Sequence, residues 1–199
     1  NFNQLFLNSL SDLKRKNLYR ELRVLKRINS IKIKYNNKNL LNFSSNDYLG
    51  LSNNEIMKKE TIKIINKYGI GSGSSRLVSG NYNFHENIEV ELAKHKKTES
   101  AIIFSTGYLA NYSILSSIFN SNIFKKEPIV FSDKLNHQCI YEGCKSNKIK
   151  FIRFHHNDMN HLEHLLKNYR LKKNPKFILS ESVFSMDGDF ADIENLVNL

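Results

Sequence analysis

The sequence predicts an α/β fold built on a largely parallel sheet. Short apolar runs suited to strands buried on both faces recur along the chain, and amphipathic helical stretches separate them. Glycines, hydroxyls and ionisable groups gather directly after those runs, at the strand ends where sheets of this kind place their ligands.

The elements follow in order. Between residues 5 and 28, Leu10, Leu13, Leu18, Leu22 and Leu25 are mixed with many charges, a pattern that predicts an amphipathic helical arm. Ile31, Ile33 and Tyr35 then alternate, and Asn36-Asn37-Lys38-Asn39 is turn chemistry leading to Leu40-Leu41-Asn42-Phe43, which predicts a small hairpin. Arm and hairpin occupy residues 1–43, and the main domain begins at Ser44 and runs through 199. Within it, strands are expected at 101–104, 129–131, 151–154 and 177–179. Helices are expected around Phe84, Ile88 and Leu92, around Tyr112, Leu115 and Phe119, around Ile140, Tyr141 and Cys144, and around Leu162, Leu165, Leu166 and Tyr169. Ile193, Leu196 and Val197 open a further helix that stops in mid-pattern. The domain therefore reads as the first part of a longer one, truncated at its C-terminus, because a sheet ending there would keep an open edge.

Composition narrows the function classes. With 199 residues, 40% of them hydrophobic, the chain can bury one sizeable core. No run of about eighteen apolar residues occurs and the N-terminus lacks a signal-peptide pattern, so the expectation is a cytoplasmic protein with no membrane partner. The net charge of +11 invites a nucleic-acid reading. Its lysines are spread over the whole chain with no recognition motif, and the wealth of Lys, Asn and Ile fits a coding bias toward adenine and thymine, so no nucleic-acid partner is expected. A positive surface would still help to attract a polyanionic substrate. Cys139 and Cys144 lack the C-x-x-C spacing of a metal or redox pair and are expected to be reduced packing residues.

Five stretches carry candidate chemistry. Ser105-Thr106-Gly107-Tyr108 lies between an expected strand and an expected helix, where free N–H groups and a small residue suit a phosphate; an ordinary strand-to-helix turn has the same composition. Gly69-Ile70-Gly71-Ser72-Gly73-Ser74-Ser75-Arg76 fails the dinucleotide and P-loop spacings and suits a mobile loop over a ligand or a plain linker. His137 stands after the 129–131 strand, able to stack on a planar ring, to move a proton near neutral pH, or simply to cap a helix. His155, His156, His161 and His164 bunch together without the spacing of a metalloprotease helix, so no metal is expected. Finally, Glu181-Ser182-Val183-Phe184-Ser185-Met186-Asp187-Gly188-Asp189 follows the last strand, its Asp187-Gly188 step equally a tight turn.

Taken in order, five segments resemble the α-oxoamine synthases: Asn42-Phe43-Ser44-Ser45-Asn46-Asp47-Tyr48-Leu49-Gly50-Leu51, then 69–80 with Ser74-Ser75-Arg76-Leu77-Val78-Ser79-Gly80, then 104–111, Asn136-His137, and 181–189. These are pyridoxal 5'-phosphate enzymes that join a small amino acid to an acyl-CoA thioester with loss of carbon dioxide. The Asn42–Leu51 run and His156-Asn157-Asp158 look most like the family members that use alanine. The resemblance implies the large-domain half of the type I pyridoxal-phosphate fold, a short N-terminal arm and a homodimer. It implies that Gly107 and Tyr108 offer N–H groups to the cofactor phosphate, and that His137 stacks on the cofactor ring close to substrate. Ser185 would contact the cofactor, Arg20 would meet substrate, and Asn46 would shape the substrate side.

The resemblance also places two necessary groups beyond Leu199, namely the aspartate facing the pyridine nitrogen and the lysine that carries the cofactor. None of the lysines present lies in a matching motif, so residues 1–199 alone are expected not to catalyse the condensation. The rival readings are an inactive fragment or a non-catalytic partner subunit and, from a different class, a basic nucleic-acid-binding module.

Overall fold

A computed structural model describes residues 1–120, 123–147 and 149–199. The chain divides into two compact units, Asn1–Asn81 and Tyr82–Leu199.

The first unit opens with helix α1 (Phe2–Arg15), capped by the side chain of Asn1. The expected arm helix is therefore shorter than the 5–28 pattern. It stops where Asn17 takes a left-handed φ of 56°, and the Leu18 and Tyr19 N–H groups turn back to the Leu13 carbonyl. A small antiparallel sheet follows, with β1 (Lys26–Arg27) pairing with β2 (Lys32–Tyr35) and β2 with β3 (Lys38–Leu41). Tyr35 pairs with Lys38, so the hairpin loop is Asn36-Asn37, both at positive φ (46° and 62°). Asparagine tolerates that conformation, and a two-residue turn of this hand matches the twist of its strands. Helix α2 (Glu55–Tyr68) is an element that sequence periodicity did not single out; Asn54 caps it by accepting from the Ile56 and Met57 N–H groups.

The second unit is a three-layer α/β sandwich. Its strands β4 (Ile129–Asp133), β5 (Lys150–Phe154) and β6 (Lys176–Leu179) are parallel in the order β5-β4-β6. Every residue of the central β4 is buried, as an apolar run in a doubly covered parallel sheet requires. On one face Ile129 and Phe131 pack with Phe154 and with Leu162 of helix α6 (Met159–Asn168). (The helices before it are α3, Asn83–Lys96; α4, Gly107–Ile118; and α5, Gln138–Lys145.) On the other face Val130 meets Phe119, just past α4, and Cys144 of α5. The chain's last helix is α7 (Ile193–Asn198).

Helices α4 and α5 lie backbone to side chain. A Cβ added to Gly143 would fall 3.0 Å from Leu115 Cβ and 3.1 Å from Tyr112 Cα, so any side chain there would push the pair a few tenths of an ångström apart.

The expected strand at 101–104 is not formed. A strand is defined by its ladder, and among the described residues no strand lies beside this segment. Its Ile103 N–H is taken instead by the Glu89 carboxylate of α3, at 2.8 Å.

Phe131 is fully buried between β5 and α6 and packs edge-on against Tyr169. Phe131→Ala is expected to lower stability by about 3–5 kcal/mol, read as a lower midpoint in urea unfolding at unchanged slope. A cost under about 1 kcal/mol would show that this face of β4 is not the core.

Candidate functional site

The carboxyl ends of β4 and β6 come together in the second unit, and one residue ties them. Asn136, three positions beyond β4, donates through Nδ2 to Ser132 Oγ (2.9 Å) and to the Leu179 carbonyl at the end of β6 (2.8 Å). The chain then enters α5, with His137 as its N-cap accepting the Cys139 N–H on Nδ1 at 3.2 Å. The His137 backbone N–H donates to the Glu181 carboxylate, so the segment after β6 is fixed to the start of α5. His137 is exposed at this edge.

The start of α4 is the second component. Thr106 is the N-cap, its hydroxyl oxygen accepting the Leu109 N–H at 3.1 Å, and its carbonyl takes the Ala110 N–H. The Gly107 and Tyr108 N–H groups are left without a hydrogen-bond partner among the described residues, at the positive end of the helix dipole. Among the described residues, nothing beyond its chain neighbours and its own helix backbone lies within 4 Å of where a Gly107 Cβ would stand, so the side of the helix start at Gly107 is uncrowded. The two helix starts are linked, because Asn111 Nδ2, one turn into α4, donates to Cys139 Sγ at 3.1 Å. The open start of α4 and the His137 imidazole are thus linked through packed helices.

Ser185 sits on the third component, the loop from Glu181 to Asp189. Phe184 is buried and packs edge-on against His156, with ring centroids 4.4 Å apart. The Gly188 N–H returns to the Phe184 carbonyl at 2.8 Å with Gly188 at a φ of 73°, which makes the Asp187-Gly188 step a tight turn and leaves Ser185 exposed. Arg20 and Asn46 belong to the first unit, both exposed. Next to Asn46, the Ser52 hydroxyl and N–H donate to Asp47 and hold its carboxyl below the ordinary range.

A network absent from the sequence reading anchors that loop. Asp133, buried at the end of β4, accepts from Leu135 N–H (2.8 Å) and Asn157 N–H (3.0 Å), and its Oδ1 lies 2.9 Å from His156 Nδ1. His156 Nε2 lies 2.8 Å from Asp189 Oδ2, and Asn157 Nδ2 donates to the same oxygen at 3.0 Å. Burial alone would lower the His156 pKa, but hydrogen bonds to two carboxylates and their charges outweigh it, and the net shift is upward. Once protonated, the His156 ring donates to both carboxylates and closes the loop onto the sheet. The only sign of this in the sequence was the His156-Asn157-Asp158 stretch, which shows neither partner.

His155 and His161 belong to a capped turn. His155, Asp158 and His161 offer ligand atoms within 4.8 Å of one another. However, the His155 N–H donates to His161 Nδ1 (3.0 Å), and Asp158 Oδ1 caps α6 by accepting the His161 N–H (2.8 Å). Among the described residues no helix is long and apolar enough to cross a membrane.

Residues 38–199 match the model of the family described as aminotransferase class I and II. The chain is 40% identical over 200 residues to the 8-amino-7-oxononanoate synthase of Gluconacetobacter diazotrophicus, covering 100% of this chain and 50% of that protein. It superposes on a serine palmitoyltransferase of S. paucimobilis solved with PLP-myriocin bound, with a TM-score of 0.82 and 27% identity over 97% of this chain and 48% of the other. It also superposes on the 8-amino-7-oxononanoate synthase of Francisella tularensis, with a TM-score of 0.62 and 29% identity over 78% and 41% of the two chains. The expected fold, that of the pyridoxal-phosphate-dependent transferases, is the one these structures share. The chain spans about half the length of the curated relatives it matches.

The His156 clamp makes stability depend on pH with a definite sign. Its pKa in the folded chain lies above the ordinary 6.5, so its contribution is fully present below that value and fades as pH rises through the folded pKa. Relative to His156→Gln, the wild-type chain is expected to hold its largest advantage in urea unfolding below the ordinary 6.5 and to lose it as pH rises through the raised folded-state pKa. A gap that widens toward alkaline pH would contradict the doubly paired imidazolium.

Proposed function

The chain belongs to the aminotransferase class I and II family, and on that premise we propose that the whole protein is an α-oxoamine synthase forming 8-amino-7-oxononanoate for biotin biosynthesis. The reaction joins L-alanine to a pimeloyl thioester, with loss of carbon dioxide and coenzyme A. One observation carries the reading: a helix start with two N–H donors that have no partner among the described residues is tied, through Asn111 and Cys139, to a helix start that presents an imidazole.

That pair fits pyridoxal 5'-phosphate. Two outward N–H groups beside the open Gly107 suit a phosphate dianion, and an exposed imidazole suits the face of a planar ring. When bound, the cofactor supplies an electron sink for the carbanion formed at the amino acid's α-carbon. In this reading Gly107 and Tyr108 hold the phosphate through their backbone, so specificity there does not depend on side chains. His137 lies against the ring and limits the positions open to the substrate. Ser185 offers its hydroxyl to the cofactor from a loop that Phe184 and Asp189 fix at both ends. Arg20 meets the substrate and Asn46 shapes its side of the site, as the family likeness implies. The same likeness carries a cytoplasmic homodimer with it.

The whole protein, loaded with pyridoxal phosphate, is expected to release carbon dioxide and free coenzyme A from L-alanine and pimeloyl-CoA, and His137→Ala to lower kcat/KM by about a hundredfold. Turnover with glycine and not alanine would move the assignment to glycine C-acetyltransferase or 5-aminolevulinate synthase chemistry. No turnover with either would overturn the enzyme reading in favour of a non-catalytic subunit. Residues 1–199 alone are expected to be inactive, because no lysine among them lies in a motif matching the family's cofactor-bearing lysine.

A further inference from the structure

The two cysteines, alike in the sequence, have different surroundings. Cys144 packs with Phe119 and Val130, and burial pushes its thiol up to about 12, which leaves it an inert filler of the core. Cys139 is equally buried, at 2% exposure, but its sulfur lies between two polar groups. Asn111 Nδ2 donates to Sγ at 3.1 Å, and Sγ lies 2.8 Å from His137 Nδ1.

We propose that Cys139 is a positioning residue that fixes the tautomer and the orientation of the His137 ring. The Cys139 backbone N–H can only donate, and it points at Nδ1 from 3.2 Å, so Nδ1 is the acceptor nitrogen of a neutral ring. The Asn111 amide nitrogen can also only donate, so Sγ accepts there and has its own S–H to give. That hydrogen is directed to the same Nδ1, which then faces two donors and carries no proton. The ring's single N–H is therefore on Nε2.

A consequence follows for the site. His137 presents a face and an Nε2–H donor, while its one basic lone pair is consumed within the protein. It cannot take a proton from a substrate without breaking its own helix cap, so the proton-moving role allowed by sequence is withdrawn and the stacking role is retained. Asn111 belongs to α4 and carries the register of that helix into the ring, so the anion seat and the imidazole are set together. Only this consequence rests on the proposed function; the tautomer itself does not.

The test is a long-range ¹H–¹⁵N spectrum of the ring nitrogens in the whole protein, labelled at histidine and recorded without and with pyridoxal phosphate. The wild-type protein is expected to show His137 with Nδ1 unprotonated in both states. Cys139→Ala removes one donor and is expected to shift the tautomer ratio toward Nδ1–H by about fivefold, the effect of one neutral hydrogen bond. Cys139→Ser, which keeps a donor, is expected to restore the wild-type ratio. Asn111→Ala leaves the core intact and is expected to loosen the thiol and move the ratio in the same direction by less. A wild-type ring protonated on Nδ1, or a Cys139→Ala ring unchanged from wild type, would overturn the proposal. Because the cofactor-free spectrum is sufficient, a failure here is distinct from a failure to bind pyridoxal phosphate.

Discussion

Asp133 is the constraint on which the carboxyl edge of the sheet depends. It ends the fully buried central strand with a carboxylate that is 2% exposed, and a charge in that position is tolerable only if it is thoroughly paired. The pairing it finds is also the architecture of the site. Its two oxygens hold the turn toward α5 through Leu135 and the turn after β5 through Asn157 and His156. Through His156 the same network reaches Asp189, so that one buried charge organises the loops after β4, β5 and β6.

What this edge and the start of α4 present is simple. The α4 start offers backbone donors, the α5 start offers a ring, and the loop after β6 offers a hydroxyl at Ser185. Each is exposed, and each is held by groups that are not: Phe119 and Val130 behind α4 and α5, Cys139 behind His137, and Phe184 behind Ser185. Rigid support beneath exposed polar groups is what positions a cofactor without closing off the substrate. The spacing of α4 and α5 is set by Gly143, where any side chain would meet the backbone of Tyr112.

Much of this was legible in the sequence where structure is local. The β4, β5 and β6 runs, the turn at Asn36-Asn37 and the polar start of α4 at Thr106-Gly107 each follow from composition over a few residues. Helix α2 was missed because its apolar residues, such as Ile56, Met57 and Ile62, are interleaved with lysines and stay exposed, so no clean face marks it. The 101–104 run has strand composition, but pairing is a relation with a neighbour that composition does not contain. The network around Asp133 joins positions 23, 24 and 33 residues apart, and Glu181 reaches His137 across 44, separations at which no spacing rule operates. Cys139 and Cys144 differ only in what folding places beside them.

The central claim is that Gly107, Tyr108 and His137 form one seat for one cofactor. The most direct measurement is an experimental structure of the whole protein crystallised with pyridoxal phosphate. The phosphate is expected on the Gly107 and Tyr108 N–H groups and the pyridine ring against the face of His137. A phosphate bound elsewhere, or a His137 ring turned edge-on and away from the cofactor, would contradict it.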